Sequence, residues 1–457
     1  MKLKPFILSA AAPLTLATML AMSSPARADP TAECNAGPGA NSTECGANSG
    51  ATGLNSTAVG DTAVASGDLS TATGQASQAI GDSSTATGYF GFAGGDNSTA
   101  TGAFSVAGGA DSTANGAGSN ASGDFSTAIG RSSAASGNQS TAVGRLSEAT
   151  NTLSTALGER SIASGVASTA LGSQSTASGT GSTAAGVGSD ATGELSTAAG
   201  YLSEASGANS TATGAQSRAA GANSSATGQN SRALGDNSTA NGQGSTASGL
   251  NSTAMGQNSL ASGVGGTAIG MGSQATGDFS SALGNGSQAT GFAATSIGVL
   301  SAAGADYSTA LGTQAAASGL ASTATGNLSQ ATGVNGTATG QTSTASGDNS
   351  TATGQSSEAS GLNSTAMGQN SQASGVGGTA IGMGSQAVGD FGSALGNGSR
   401  ATGFAGTSIG TLSTAGGANS SALGSQANAS GFAAVALGSL SVASGSNSSA
   451  IGSQATA

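Results

Sequence analysis

From residue 46 onward, small, polar and apolar residues recur on a beat of seven. Taking Gly46 as a mark, Gly53, Gly60, Gly67, Gly74 and Gly81 follow, and the beat runs to Gly452, broken only by Asn151 and Ala305. Four residues before a mark stands Ser and two before stands Ala, as in Ser126-Thr127-Ala128-Ile129-Gly130. Small residues therefore occupy alternate positions, which is the period of a strand whose successive side chains point to opposite faces. A helix needs a period of 3.6 and cannot carry Gly at every seventh position. The pattern predicts short strands separated by tight turns.

The residue just before the mark alternates in kind, so the true unit is fourteen. One series runs Ile129, Val143, Leu157, Leu171, and later Met255, Ile269, Leu283, Ile297, Leu311; the interleaved series runs Ser122, Ser136, Thr150, Ser164, and later Ser262, Thr276, Thr290. Each fourteen-residue coil then has two strands that turn Ser and Ala inward. One turns an apolar residue outward and the other a hydroxyl. Gly249–Ser301 nearly repeats as Gly361–Ser413, an offset of eight such units. These features describe an all-β parallel solenoid in which coils stack at ~4.8 Å, and about 29 of them would extend on the order of 140 Å. Two details follow. Each mark should be a turn residue with positive φ, with Asn151 the best-tolerated substitute for Gly and Gly304 taking over by a one-residue shift at Ala305. Inward Ser hydroxyls should bond to backbone or to one another. A core this thin buries little apolar area, and the outward apolar row calls for self-association.

Composition agrees. Of 457 residues 80 are Gly, aromatics are 3%, charged residues 6%, and His and Trp are absent, so an ordinary core cannot be filled. Residues 1–28 place Lys2 and Lys4 before an apolar run from Phe6 to about Met22 and end Ala26-Arg27-Ala28, the pattern of a cleaved secretory signal peptide. Residues 29–45 form a separate N-terminal segment holding both cysteines, and 46–457 are the repeats. Removing Lys2, Lys4 and Arg27 leaves six Arg against 20 acidic residues, a net charge of about −14, which argues against nucleic acid or an anionic membrane as partner. Cys34 and Cys45 suit a disulfide in an exported protein, with a free pair or interchain bridges as alternatives.

Catalytic and cofactor chemistry is not indicated. Without His there is no Ser-His-Asp or Cys-His arrangement and no imidazole metal site. Gly186-Val187-Gly188 and Gly270-Met271-Gly272 lack the Lys and helix of a phosphate loop. Asp68, Asp124, Asp278 and Asp390 follow marks and read as turn residues rather than metal ligands. No small-molecule substrate is implied. Phe125, Phe279, Phe292, Phe391, Phe404 and Phe432 enter the strand with the apolar row and read as seals along a seam. Tyr89, Phe90 and Phe92 form a denser cluster and are the candidate ligand patch.

The phrase Asn55-Ser56-Thr57-Ala58-Val59-Gly60, repeated as Asn251-Ser252-Thr253-Ala254-Met255-Gly256, resembles the YadA-like head of trimeric autotransporter adhesins. The resemblance covers about residues 41–457. It implies a left-handed parallel β-roll, a homotrimer packed side by side, and display on a Gram-negative outer membrane. It also implies binding to extracellular matrix protein or to a neighbouring cell surface. On this reading Ile129, Leu157, Leu171, Ile269, Leu283, Ile381 and Leu395 face the trimer axis, while Ser136, Ser164 and Thr276 face solvent. Family members continue into a stalk and a membrane barrel, whereas here the sequence stops mid-coil at Ala457, as expected of a truncated product. A passive coat or spacer is the alternative function. The Thr71-Ala72-Thr73, Thr85-Ala86-Thr87 and Thr99-Ala100-Thr101 ladder makes ice binding a further one.

Overall fold

The computed structural model describes residues 34–457. The signal peptide expected at 1–28 lies outside that range. The chain divides into two compact units, one ending at Ser161 and one spanning Ile162–Ala457, and both follow the same plan. Among the described residues there is no helix. Each coil contributes a long strand of three residues, such as Thr71–Thr73, and a short strand of two, such as Gln78–Ala79. Long strands pair in parallel with long strands and short with short, fourteen residues apart. Thr71, Ala72 and Thr73 lie against Thr85, Ala86 and Thr87 in the first unit, and Ser281, Ala282 and Leu283 against Thr295, Ser296 and Ile297 in the second. Each unit is thus a parallel β-solenoid with a long-strand wall and a short-strand wall.

The space between the walls admits only small side chains. Inward Ala residues such as Ala72, Ala79, Ala282 and Ala289 are fully buried, and the largest fully buried side chains are serines. The alternation of the sequence therefore becomes inside and outside as expected. The turns differ from expectation. Marks that follow a long strand do have positive φ, as at Gly60 (136°), but marks that follow a short strand, such as Gly67, do not. What Gly67 needs is room: an added Cβ would overlap the carbonyl of Gly81 in the next coil, and at Gly60 it would lie 2.5 Å from the Gly74 oxygen. Gly is repeated at every seventh residue because the next coil's carbonyl occupies the place of its Cβ.

The left-handed residue common to both turns is instead the second after the mark. Asn55 (φ 55°), Thr62 (57°), Leu69 (59°), Phe125 (56°) and Asn251 (56°) all adopt it. Asn151 occupies a short-strand mark without positive φ, so its expected left-handed role is not found. Nor does the frame shift at Ala305, whose carbonyl accepts both the amide (3.2 Å) and the hydroxyl (2.6 Å) of Ser308 as a mark's does.

The buried serines also fall into two classes. After a long-strand mark the hydroxyl donates back to the mark's carbonyl, as Ser77 does to Gly74 at 2.9 Å and Ser273 to Gly270 at 2.9 Å. After a short-strand mark, Ser70, Ser84, Ser98, Ser196 and Ser350 have buried hydroxyls with no hydrogen-bond partner among the described residues. The expectation that every inward hydroxyl is bonded therefore fails on one side of the tube. Ser56, Ser154, Ser280 and Ser308, which do reach the carbonyls of Gly53, Asn151, Gly277 and Ala305 at 2.8, 2.6, 2.6 and 2.6 Å, are among the exceptions in that class.

The amino-terminal end of the first unit is closed. Strand β1 (Asn35–Ala36) runs antiparallel to β2 (Thr43–Cys45), which in turn pairs in parallel with Thr57–Val59. A disulfide joins Cys34 to Cys45. Between the two strands, the Gly39 amide donates to the carbonyl of Ala51 at 3.0 Å, in the first short strand. One crossing segment thus covers the edges of both walls. The parallel stack already includes Thr43–Cys45, ahead of the expected start at residue 46.

Candidate functional site

Outward positions of the two walls carry different chemistry. Beyond Glu44 in β2, no long strand among the described residues contains a charged residue; its two outward positions hold Thr or Ser (Val at Val435) and then an apolar, Thr, Ala or Asn side chain. Charges on strands lie on the short-strand wall, at Glu148, Asp190, Glu204, Arg218, Arg232, Glu358 and Arg400. Charge depletion over a continuous patch is the compositional mark of a surface that becomes buried.

On the long-strand wall the apolar residues stand in register. In the first unit Ile129 lies against Val143 and Val143 against Leu157. In the second, Met255, Ile269, Leu283, Ile297 and Leu311 form one run, and Met367, Ile381, Leu395 and Ile409 belong to another. Ile129, Ile269 and Ile381 remain about two-fifths exposed (40%, 39% and 40%), Leu157 and Leu171 slightly less, and Leu283 and Leu395 are half-buried. The row is interrupted by hydroxyl blocks, Thr325, Thr339 and Thr353 being one. On the opposite wall Ser136 is exposed, and Ser164 and Thr276 are half-buried.

The turns form two edges, each tied coil to coil by the backbone. Asp68, Asp124, Asp278 and Asp390 accept amide hydrogen bonds from the equivalent turn one coil earlier, at Leu54 (2.8 Å), Ala110 (3.0 Å), Val264 (2.8 Å) and Val376 (2.9 Å). Their carboxylates therefore hold the stack together. Side-chain amides do the same in ladders such as Asn223–Asn237–Asn251 and Gln229–Gln243–Gln257.

The aromatic cluster is only partly the one expected. Tyr89 and Phe90 meet edge to face at 4.6 Å, but their third partner is Phe104, 5.3 Å from Tyr89 and 5.7 Å from Phe90. Phe92 is on the short-strand wall, its ring folded over Gly94. Phe104 could have been found from its place, the same turn position as Phe90 one coil later. At the other edge Phe279, Phe292 and Tyr307 form a ladder with centroids 5.7 and 5.4 Å apart, and the Phe279–Phe292 contact recurs as Phe391–Phe404 at 5.7 Å. Phe125 and Phe432 lie on this edge singly, exposed.

Repeats of the YadA head domain match this chain from 46–63 to 429–455, in overlapping copies that cover nearly all of the interval. The chain belongs to the YadA head-repeat family. The copies advance by fourteen residues in stretches such as 93–119, 107–133 and 121–147, the same step that separates paired strands. Each such match thus spans two coils, in keeping with a family model of two repeat copies. A solved structure, the collagen-binding domain of the Yersinia adhesin YadA, is similar at 22% identity over 45% of this chain and 69% of that one, with a TM-score of 0.13. No curated protein matches the chain.

Proposed function

We propose that this protein is an exported adhesin head that assembles as a homotrimer through its long-strand wall. Its remaining surface would attach to extracellular matrix protein or to a neighbouring cell. The observation that carries this reading is the uncharged wall with its in-register apolar row, set against a short-strand wall that holds the charged strand residues. Membership of a head-repeat family supports an adhesin role. The matrix-protein assignment draws on the similar Yersinia adhesin, whose solved domain is described as collagen-binding. Export rests on the pattern of residues 1–28.

Seam residues such as Ile269 already have more than half of their surface covered by neighbouring coils. Completing their burial then contributes about 1 kcal/mol each, below the ~1.5–3 kcal/mol of a fully exposed side chain. The row supplies enough of them to hold an assembly. Changing Ile269, Leu283 and Ile381 together to Asp should dissociate it, while Asp at the exposed Ser136, Ser262 and Ser346 should leave the mass by light scattering unchanged. A parent that is monomeric, or two triple variants of equal mass, would sink the seam. Binding of the purified mature protein to immobilised matrix proteins or to itself separates an adhesin from a passive spacer.

A further inference from the structure

Of the six Arg beyond the signal-like segment, three crowd onto one edge of the first unit, at Arg131, Arg145 and Arg160. Arg131 and Arg145 hold the same position in consecutive coils, directly after Gly130 and Gly144. Their roots are fixed by the backbone, since Leu146 N–H donates to the Arg131 carbonyl at 3.0 Å and Arg160 N–H to that of Arg145 at 2.9 Å. Arg145 forms an ion pair with Glu159 one coil further on. Arg131 has no carboxylate partner among the described residues. A shallow recess is lined by Arg131, Ser132, Arg145 and Leu146. Of the nearby carboxylates, Glu159 is taken by Arg145, Glu148 stands on the short-strand wall, and Asp124 lies in a turn of the other edge, accepting from the Ala110 amide.

Glu159 offsets only one of these two like charges one coil apart, so the Arg131–Arg145 pair keeps a local net positive charge of about one. Guanidinium forks match the paired oxygens of carboxylate, sulfate or phosphate. We propose that the Arg131–Arg145 recess binds a single oxyanion group, with the Ser132 hydroxyl as an added donor. The net charge of about −14 repels a densely charged polyanion. The ligand is therefore one anionic group on an otherwise weakly charged molecule.

The test titrates the mature chain with sodium sulfate, inorganic phosphate and glucuronate in separate arms, at constant ionic strength, by isothermal calorimetry. Saturable binding should appear in at least one arm and weaken tenfold or more in Arg131→Gln. Arg232→Gln serves as the control, because Arg232 stands beside Arg218 on the flat short-strand wall, where Arg218 pairs with Glu204. Arg131→Lys, which keeps the charge but loses the fork, should bind less than the parent. Absence of saturation in all three arms, or equal losses in Arg131→Gln and Arg232→Gln, would overturn the assignment.

Discussion

The two classes of buried serine give the sharpest test of the fold. Ser77, Ser105 and Ser133 each donate to a mark's carbonyl, at 2.9, 2.9 and 3.0 Å. Changing all three to Ala removes three hydrogen bonds from a dry interior, a loss of about 1 kcal/mol each and roughly 3 kcal/mol together. Ser70, Ser98 and Ser126 are equally buried, but their hydroxyls have no partner. Each leaves a desolvated group uncompensated, a penalty of about 1–3 kcal/mol that Ala would remove. The second triple variant should therefore be more stable than the parent and the first less stable. Smaller residues stand in both classes, at Gly266, Ala294, Gly336, Gly378 and Ala434 in the second and at Ala63, Gly91, Ala315 and Ala427 in the first, so the small residue itself fits either place. Within each set the sites are two coils apart, which keeps their effects close to additive. Stability in a solenoid sums over coils and their neighbours, so the comparison is of urea midpoints by circular dichroism at matched slope. Equal destabilisation by both triples would refute the distinction. It would mean that the second-class hydroxyls adopt the bond that Ser56 makes to Gly53.

Other outcomes follow from the turns and the one edge ion pair. Asn97, left-handed at φ 57°, should lose about 1–2 kcal/mol on change to Val, whereas Val at Asn120, in a short strand, should be neutral or better; thermal melts compare them. Gly67→Ala should cost about 1–3 kcal/mol although its φ is not left-handed, because the Cβ meets the Gly81 carbonyl; hydrogen exchange should show the loss centred on those coils. The hydrogen bond and charge of Arg145 hold the Glu159 carboxyl below its ordinary value. A carboxylate depressed on folding stabilises above its unfolded pKa, and that contribution is lost as pH falls through the folded one. A carbon-13 titration of Glu159 should show the depressed midpoint, and Arg145→Gln should raise it toward the ordinary one.

The strands were legible because alternation is a direct record of which side chains fit between two close walls. Ser126 and Ala128 are small because the interior admits nothing larger, and Ile129 is not because it points out. The turns were less legible. The Ser-x-Ala-x-Gly phrase is the same in both halves of a coil, yet Gly60 and Gly67 are Gly for different reasons. Likewise Ser77 and Ser84 look equivalent in the sequence, and only the fold separates a bonded hydroxyl from an unbonded one. The left-handed position had a signal that repetition of Gly obscured: Asn recurs two residues after the mark, at Asn55, Asn97, Asn209, Asn223 and Asn251. At Arg131 and Arg145 the sequence gives the spacing, but the recess depends on how two turns stack.

The unlike walls also set the grain at which such a chain can change length. Inserting fourteen residues adds a coil and leaves every later side chain on its own wall, as the near-repeat of Gly249–Ser301 at Gly361–Ser413 illustrates. Inserting seven preserves the Gly beat and the Ser-x-Ala phrase, so the strands would still form. All later residues would nonetheless exchange walls, carrying Ile381 and Leu395 to the charged side and Glu358 and Arg400 to the apolar one. Half-coil changes would keep the strand pattern yet be ruinous to assembly, so the number of coils is free to vary while its parity within a coil is not.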